Sequence, residues 1–134
     1  MRDGFIKVAA ATPAIKVADC GYNAKACIEL IGQAAEQGVK VLCFPELSLT
    51  GVTCGDLFYQ SVLLRGAEAA LAQVLEATED ADMVITVGLP VRGQDDGRLY
   101  NCAAVLCKGE ILALIPKCHL AGEENRWFAP GEGV

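Results

Sequence analysis

The sequence predicts an α/β fold on a mixed sheet, with parallel strands joined by helical crossovers and an antiparallel β-hairpin at the end. Three observations carry that prediction. Short apolar, β-forming runs alternate with longer segments of helical period along the first 90 residues. The run at Val39 to Phe44 is apolar nearly throughout, as expected of a parallel strand covered on both faces. Later, two such runs are separated only by Lys108-Gly109-Glu110, a hairpin signal with glycine where positive φ is useful.

The elements follow in order. Phe5 to Ala11 reads as the first strand, broken by Thr12-Pro13, and Asp19 to Asn23 as a loop feeding a helix. From Ala24 to Gln37 the apolar positions Cys27, Ile28, Ile31, Ala34 and Ala35 keep helical spacing, and Gly38 stands where a C-terminal cap belongs. Val39 to Phe44 is the second strand. Residues 45–60 lack a clear period and read as a functional loop with a helical turn at Asp56 to Tyr59. Ser61 to Ala77 is the second helix, with Leu64, Ala67, Leu71, Val74 and Leu75 on one face. Met83 to Pro90 is a third strand and Gly93 to Gly97 a polar turn. Leu99 to Cys107 and Ile111 to Pro116 make the hairpin. The stretch from Lys117 to Val134 is polar, with Trp127 and Phe128 inside it. No repeat, low-complexity segment or linker divides the chain.

Composition narrows the function classes. The chain has 134 residues, 53% of them hydrophobic and 21% charged, which suits one modest globular domain. A net charge of −6 with no basic stripe argues against a nucleic-acid partner. No apolar run approaches the roughly 20 residues that span a bilayer, so no membrane partner is expected. The start, MRDGFIKVAAA, is too short and mixed for a secretory signal, and a cytoplasmic location is expected. Seven cysteines, Cys20, Cys27, Cys43, Cys54, Cys102, Cys107 and Cys118, are odd in number and without C-x-x-C spacing. They read as reduced residues, with Cys27, Cys43 and Cys107 as apolar filler. A metal site is not expected, because ligand spacing is wrong and His119 is the only histidine.

Two charges stand at matching positions. Glu46 and Lys117 each follow an apolar strand that ends in proline, at Phe44-Pro45-Glu46 and Ile115-Pro116-Lys117. If both strand ends lie on one side of the sheet, the pair can meet. A carboxylate base and a fixed ammonium suit a reaction in which a nucleophile loses a proton and an oxyanion develops. The plainer alternative is a surface salt bridge contributing about 0–1 kcal/mol.

FPELSLTG at 44–51 and KCHL at 117–120 resemble the nitrilase, or carbon–nitrogen hydrolase, superfamily. KVADCGYNAKA, FPELSLTGVTCGDLF, VGLPVR, LYNCAAVLCKGEILALIPK and NRWFAPG together resemble its glutaminase branch, the N-terminal domain of glutamine-dependent NAD+ synthetases. The resemblance implies that 1–134 is part of a carbon–nitrogen hydrolase domain with a four-layer α-β-β-α sandwich. It implies Glu46 as general base, Lys117 as stabiliser of the tetrahedral intermediate, and a cysteine thiolate that attacks the glutamine side-chain amide. It further implies ammonia delivery to a C-terminal synthetase domain, which uses ATP and Mg2+ to convert deamido-NAD+ to NAD+. No cofactor is implied for the glutaminase domain itself, and a homo-oligomer is expected.

Departures from the pattern set further expectations. The family nucleophile lies some tens of residues beyond the lysine, whereas 17 residues follow Lys117 here. The nucleophile is therefore expected outside this sequence and the isolated chain to be inactive. Cys118 is a poor substitute, because neighbours on an extended strand point to opposite faces. The G-x-x-x-x-G-K-[ST] loop of one ATP-binding class does not occur. The stretch from His119 to Asn125 is shorter than in the family, with Glu123 or Glu124 as match to an accessory glutamate. Tyr59, Tyr100 with its neighbour Asn101, His119 and Glu123 are candidates to border a glutamine pocket, each also readable as ordinary packing or surface. Two other functions remain open: a stand-alone amidase or carbamoyl hydrolase, and a non-catalytic interaction protein. Because the chain supplies about half the strands of a sandwich, self-association through uncovered sheet is expected.

Overall fold

The structure, a computed structural model, describes residues 4–133. Its strands are β1 (Lys7–Ala10), β2 (Val39–Cys43), β3 (Val84–Arg92), β4 (Leu99–Cys107) and β5 (Glu110–Pro116). Its helices are α1 (Cys20–Glu36) and α2 (Ser61–Ala77), with short 3-10 turns at Gly55–Tyr59 and Gly122–Arg126. The strands form one sheet in the order β1-β2-β3-β4-β5, the first two pairings parallel and the last two antiparallel. Two successive crossovers that step the same way across the sheet and share the right-handed sense put both helices on one face. The helices pack on each other and on β2 and β3.

That face is the core. Leu42, Ile85, Val87, Leu89, Ala104 and Leu106 point into it, each at most 1% exposed. They meet Ala24, Cys27 and Ile31 of α1 and Ala67, Ala70, Leu71 and Val74 of α2. Burying each large side chain there contributes about 1.5–3 kcal/mol. Among the described residues the opposite face has no helix layer. By pleat and register it carries Val8, Val41, Cys43, Val84, Thr86, Ala103, Val105, Ala113 and Ile115. Val8 remains 63% exposed and Ile115 54%. The mixed α/β sheet therefore stands as expected, and of the four sandwich layers this chain supplies one helix layer and one sheet layer.

Three local expectations are corrected. Asp19 is the N-cap of α1, its Oδ1 accepting the Tyr22 N–H at 3.1 Å, so Cys20 to Asn23 are helical rather than loop. Asn23 tolerates the helix because its buried amide is fully used by Lys16 and Leu49. Cys43 is exposed rather than core, because it lies on the uncovered face. The hairpin turn is Lys108-Gly109, at φ 47° and 79°, and Glu110 already pairs with Cys107. Two successive positive φ values match the strand twist, which is why the shorter turn forms.

Candidate active site

Topology decides whether the two strand ends can meet. β4 reverses the direction of β3 and β5 reverses it again, so β2, β3 and β5 run the same way. Glu46 and Lys117 therefore leave the same edge of the sheet, with β3 and β4 between them. The segment after β2 bridges that gap by crossing β3 at Gly88. A Cβ on Gly88 would lie 2.2 Å from the Leu47 nitrogen, so the crossing requires glycine. Ser48 Oγ accepts the Gly88 N–H at 3.0 Å, and the Leu49 N–H donates back to the Gly88 carbonyl at 3.0 Å. Leu47, beside Glu46, has φ 53°, a left-handed conformation that a non-glycine residue keeps only where its surroundings hold it. Asn23 of α1 adds a tether by donating to the Leu49 carbonyl at 3.1 Å.

Lys117 is held from both backbone sides. Its N–H donates to the Asn101 carbonyl at 2.7 Å and its carbonyl accepts from Gly131 at 2.9 Å. Its ammonium contacts Glu46 Oε1 at 3.0 Å and Oε2 at 3.1 Å, and Glu124 Oε1 at 2.9 Å. The other oxygen of Glu124 accepts the Ala121 N–H at 2.7 Å, which fixes that carboxylate. Asn101, buried on β4, donates its side-chain amide to Glu46 Oε1. The cluster is half-open, with side chains 41% exposed at Glu46, 33% at Lys117 and 26% at Glu124. The hydrogen bond with Glu124, reinforced by that with Glu46, raises the Lys117 pKa above the ordinary lysine range. The Lys117 contact, followed by the Ala121 N–H, holds Glu124 below the usual carboxylate range. Lys117 is thus a durable cation suited to stabilising negative charge rather than to taking a proton. A cavity of about 400 Å³ opens beside the pair, bounded by Cys43, Thr86, Ala103 and Ile115 of the uncovered face. A larger cavity of about 720 Å³ is lined by the N-terminal end of α1 and by α2, with Glu46, Lys117 and Glu124 absent from its lining.

The predicted residues divide clearly. Glu46 and Lys117 come together. Glu124, not Glu123, reaches the lysine, and Glu123 is exposed. Asn101, not its neighbour Tyr100, faces Glu46, because successive strand residues point to opposite faces. Tyr100 directs its hydroxyl to Asp96. Tyr59 donates its hydroxyl to the Arg126 carbonyl instead of facing the cavity. His119 is exposed and makes no hydrogen bond with the cluster among the described residues. Cys118 is also exposed, its sulfur 3.7 Å from the Pro116 carbonyl oxygen. The other cysteines are free, and burial pushes Cys27 and Cys102 up to about 11, far from a reactive thiolate.

The two loops that supply the carboxylates are clasped to each other. Asp56 Oδ1 accepts the Trp127 indole N–H at 3.1 Å and lies 3.4 Å from the Arg126 guanidinium. Phe58 is fully buried, with Phe128 at 4.9 Å and Trp127 at 5.9 Å between ring centroids. The TCGDLF segment downstream of Glu46 therefore anchors the Gly122–Arg126 turn that carries Glu124.

A profile of the carbon–nitrogen hydrolase family matches residues 7–132. The chain belongs to the carbon–nitrogen hydrolase family. It is 34% identical over 133 residues to the glutamine-dependent NAD(+) synthetase of Mycobacterium leprae, a match covering 96% of this chain and 19% of that protein. The human glutamine-dependent NAD(+) synthetase is 32% identical over 130 residues, covering 92% of this chain and 18% of that protein. Among solved structures, the glutamine-dependent NAD+ synthetase of Acinetobacter baumannii superposes with a TM-score of 0.87 at 31% identity, covering 95% of this chain and 24% of that one. An amidase from Nesterenkonia sp. gives a TM-score of 0.83 at 25% identity, covering 98% and 50% respectively. The chain spans about a fifth of the length of the curated synthetases it matches. Within the carbon–nitrogen hydrolase family, the match includes both strand ends that bear Glu46 and Lys117.

Proposed function

We propose that this chain is part of the glutamine-hydrolysing domain of a glutamine-dependent NAD+ synthetase, with Glu46 as general base and Lys117 as the cation facing the reacting carbonyl. The observation that carries this reading is the contact of Lys117 Nζ with both Glu46 oxygens beside an open cavity. The synthetases matched across nearly the whole chain support the choice of substrate. In the proposed reaction, Glu46 takes the proton of a cysteine thiol supplied from outside these residues. The thiolate attacks the glutamine side-chain amide, and Lys117 stabilises the resulting oxyanion. The proton returns to the leaving nitrogen, ammonia departs and a thioester remains. Water, deprotonated by Glu46, then releases glutamate and restores the thiol. The proposed partners are glutamine, a synthetase domain that consumes the ammonia with ATP and Mg2+, and further copies of the chain.

The Nesterenkonia amidase supports a second reading, hydrolysis of a simple amide without a synthetase. The polypeptide encoded by the reading frame that contains this chain separates the two. Ammonia release from glutamine in preference to acetamide or butyramide is expected. Preference for the simple amides would select the amidase reading.

A further inference from the structure

We propose that Asn101 is the positioning residue of the Glu46 carboxylate and leaves Oε2 as the oxygen that takes the proton. The proposal rests on the amide-hydrolase reading above. Asn101 is 3% exposed and lies within β4, paired to β3 on one side and to the end of β5 on the other. Its side-chain amide donates to Glu46 Oε1. That oxygen also faces Lys117 Nζ at 3.0 Å, so it holds two donors, whereas among the described residues Oε2 holds only the lysine, at 3.1 Å. A carboxylate oxygen with two donors has its in-plane lone pairs occupied, and the other oxygen keeps one free for an incoming proton. The amide is neutral and held by the sheet. It sets the carboxylate plane without competing for the proton and independently of the loop that carries Glu46.

The register of the hairpin makes this arrangement. Leu106 pairs with Ile111 but Val105 pairs with Ala113, so Leu112 is an extra residue in β5. Without it the ladder from the turn would set Tyr100 opposite Lys117. With it, the residue opposite is Asn101, whose carbonyl accepts the Lys117 N–H.

Two measurements test the proposal. In the 134-residue chain, the side-chain amide resonances of Asn101 are expected to shift and exchange faster in Glu46→Ala than in the parent. Unmoved resonances would overturn the contact. In the glutamine-hydrolysing polypeptide, Asn101→Leu removes the donor at similar volume. It is expected to lower kcat by about 10- to 100-fold, with KM and the melting temperature little changed. Asn101→Ser, which retains a donor, is expected to recover part of the loss, and parental kcat in Asn101→Leu would overturn the positioning role. If Asn101→Leu does not fold, the resonance measurement decides, because it leaves Asn101 intact. Parental kcat in Glu46→Gln would overturn the amide-hydrolase reading and the base oxygen with it, while the resonances would still report the contact.

Discussion

Gly88 shows how a single missing atom shapes the site. The Glu46 loop crosses β3 where any Cβ would strike the Leu47 nitrogen at 2.2 Å. Gly88→Ala is expected to cost about 1–3 kcal/mol, as overpacking does, and to push Glu46 away from Lys117. Urea unfolding checks the first effect, and a parental midpoint would contradict it. Glu124 offers a second test through pH. Its folded pKa is lowered by Lys117, so its contribution is present above the ordinary carboxylate range and lost as pH falls through the lowered value. Lys117 is raised, so its contribution is present below the ordinary lysine range and lost as pH rises through the raised value. The stability difference between the parent and Glu124→Gln is therefore expected to be largest at neutral pH and to shrink toward both extremes. A pH-independent difference would contradict the ion pair.

Among the elements, the clasp between the Gly55–Tyr59 and Gly122–Arg126 turns connects the Glu46 loop to Glu124. Asp56→Ala removes the acceptor of the Trp127 indole and one partner of Arg126, which is expected to speed amide exchange at Trp127 and Phe128. Both amides donate to the Glu124 carbonyl, so unchanged exchange there would mean that Asp56 does not hold the turn. α2 was legible to the residue, because its apolar positions keep one helical stripe from Ser61 to Ala77. Glu46 and Lys117 were legible because proline ends both strands. Which of Tyr100 and Asn101 stands opposite Lys117 was not, because it depends on a bulge at Leu112 that period-2 alternation does not reveal. The choice between Glu123 and Glu124 was not legible either. It depends on which carboxylate a 3-10 turn directs to Lys117 and to its own first N–H.

At the scale of the molecule, one sheet face is covered by helices and the other presents apolar strands continuous with the Glu46–Lys117 pair. Val8, Val41, Val105 and Ile115 lie there with no layer above them among the described residues. The 134-residue chain is expected to self-associate through this face, so size-exclusion chromatography with light scattering should give a mass above the monomer. A monomer at all concentrations would contradict that. The proposed chemistry needs a base and a cation brought together at the C-terminal ends of β2 and β5, where a glutamine amide would bind. The measurement that tests it most directly is ammonia release from glutamine by the polypeptide that contains this chain, compared with Glu46→Gln and Lys117→Ala. Losses in kcat of about 100-fold or more are expected for each. Parental turnover in either variant would contradict the account.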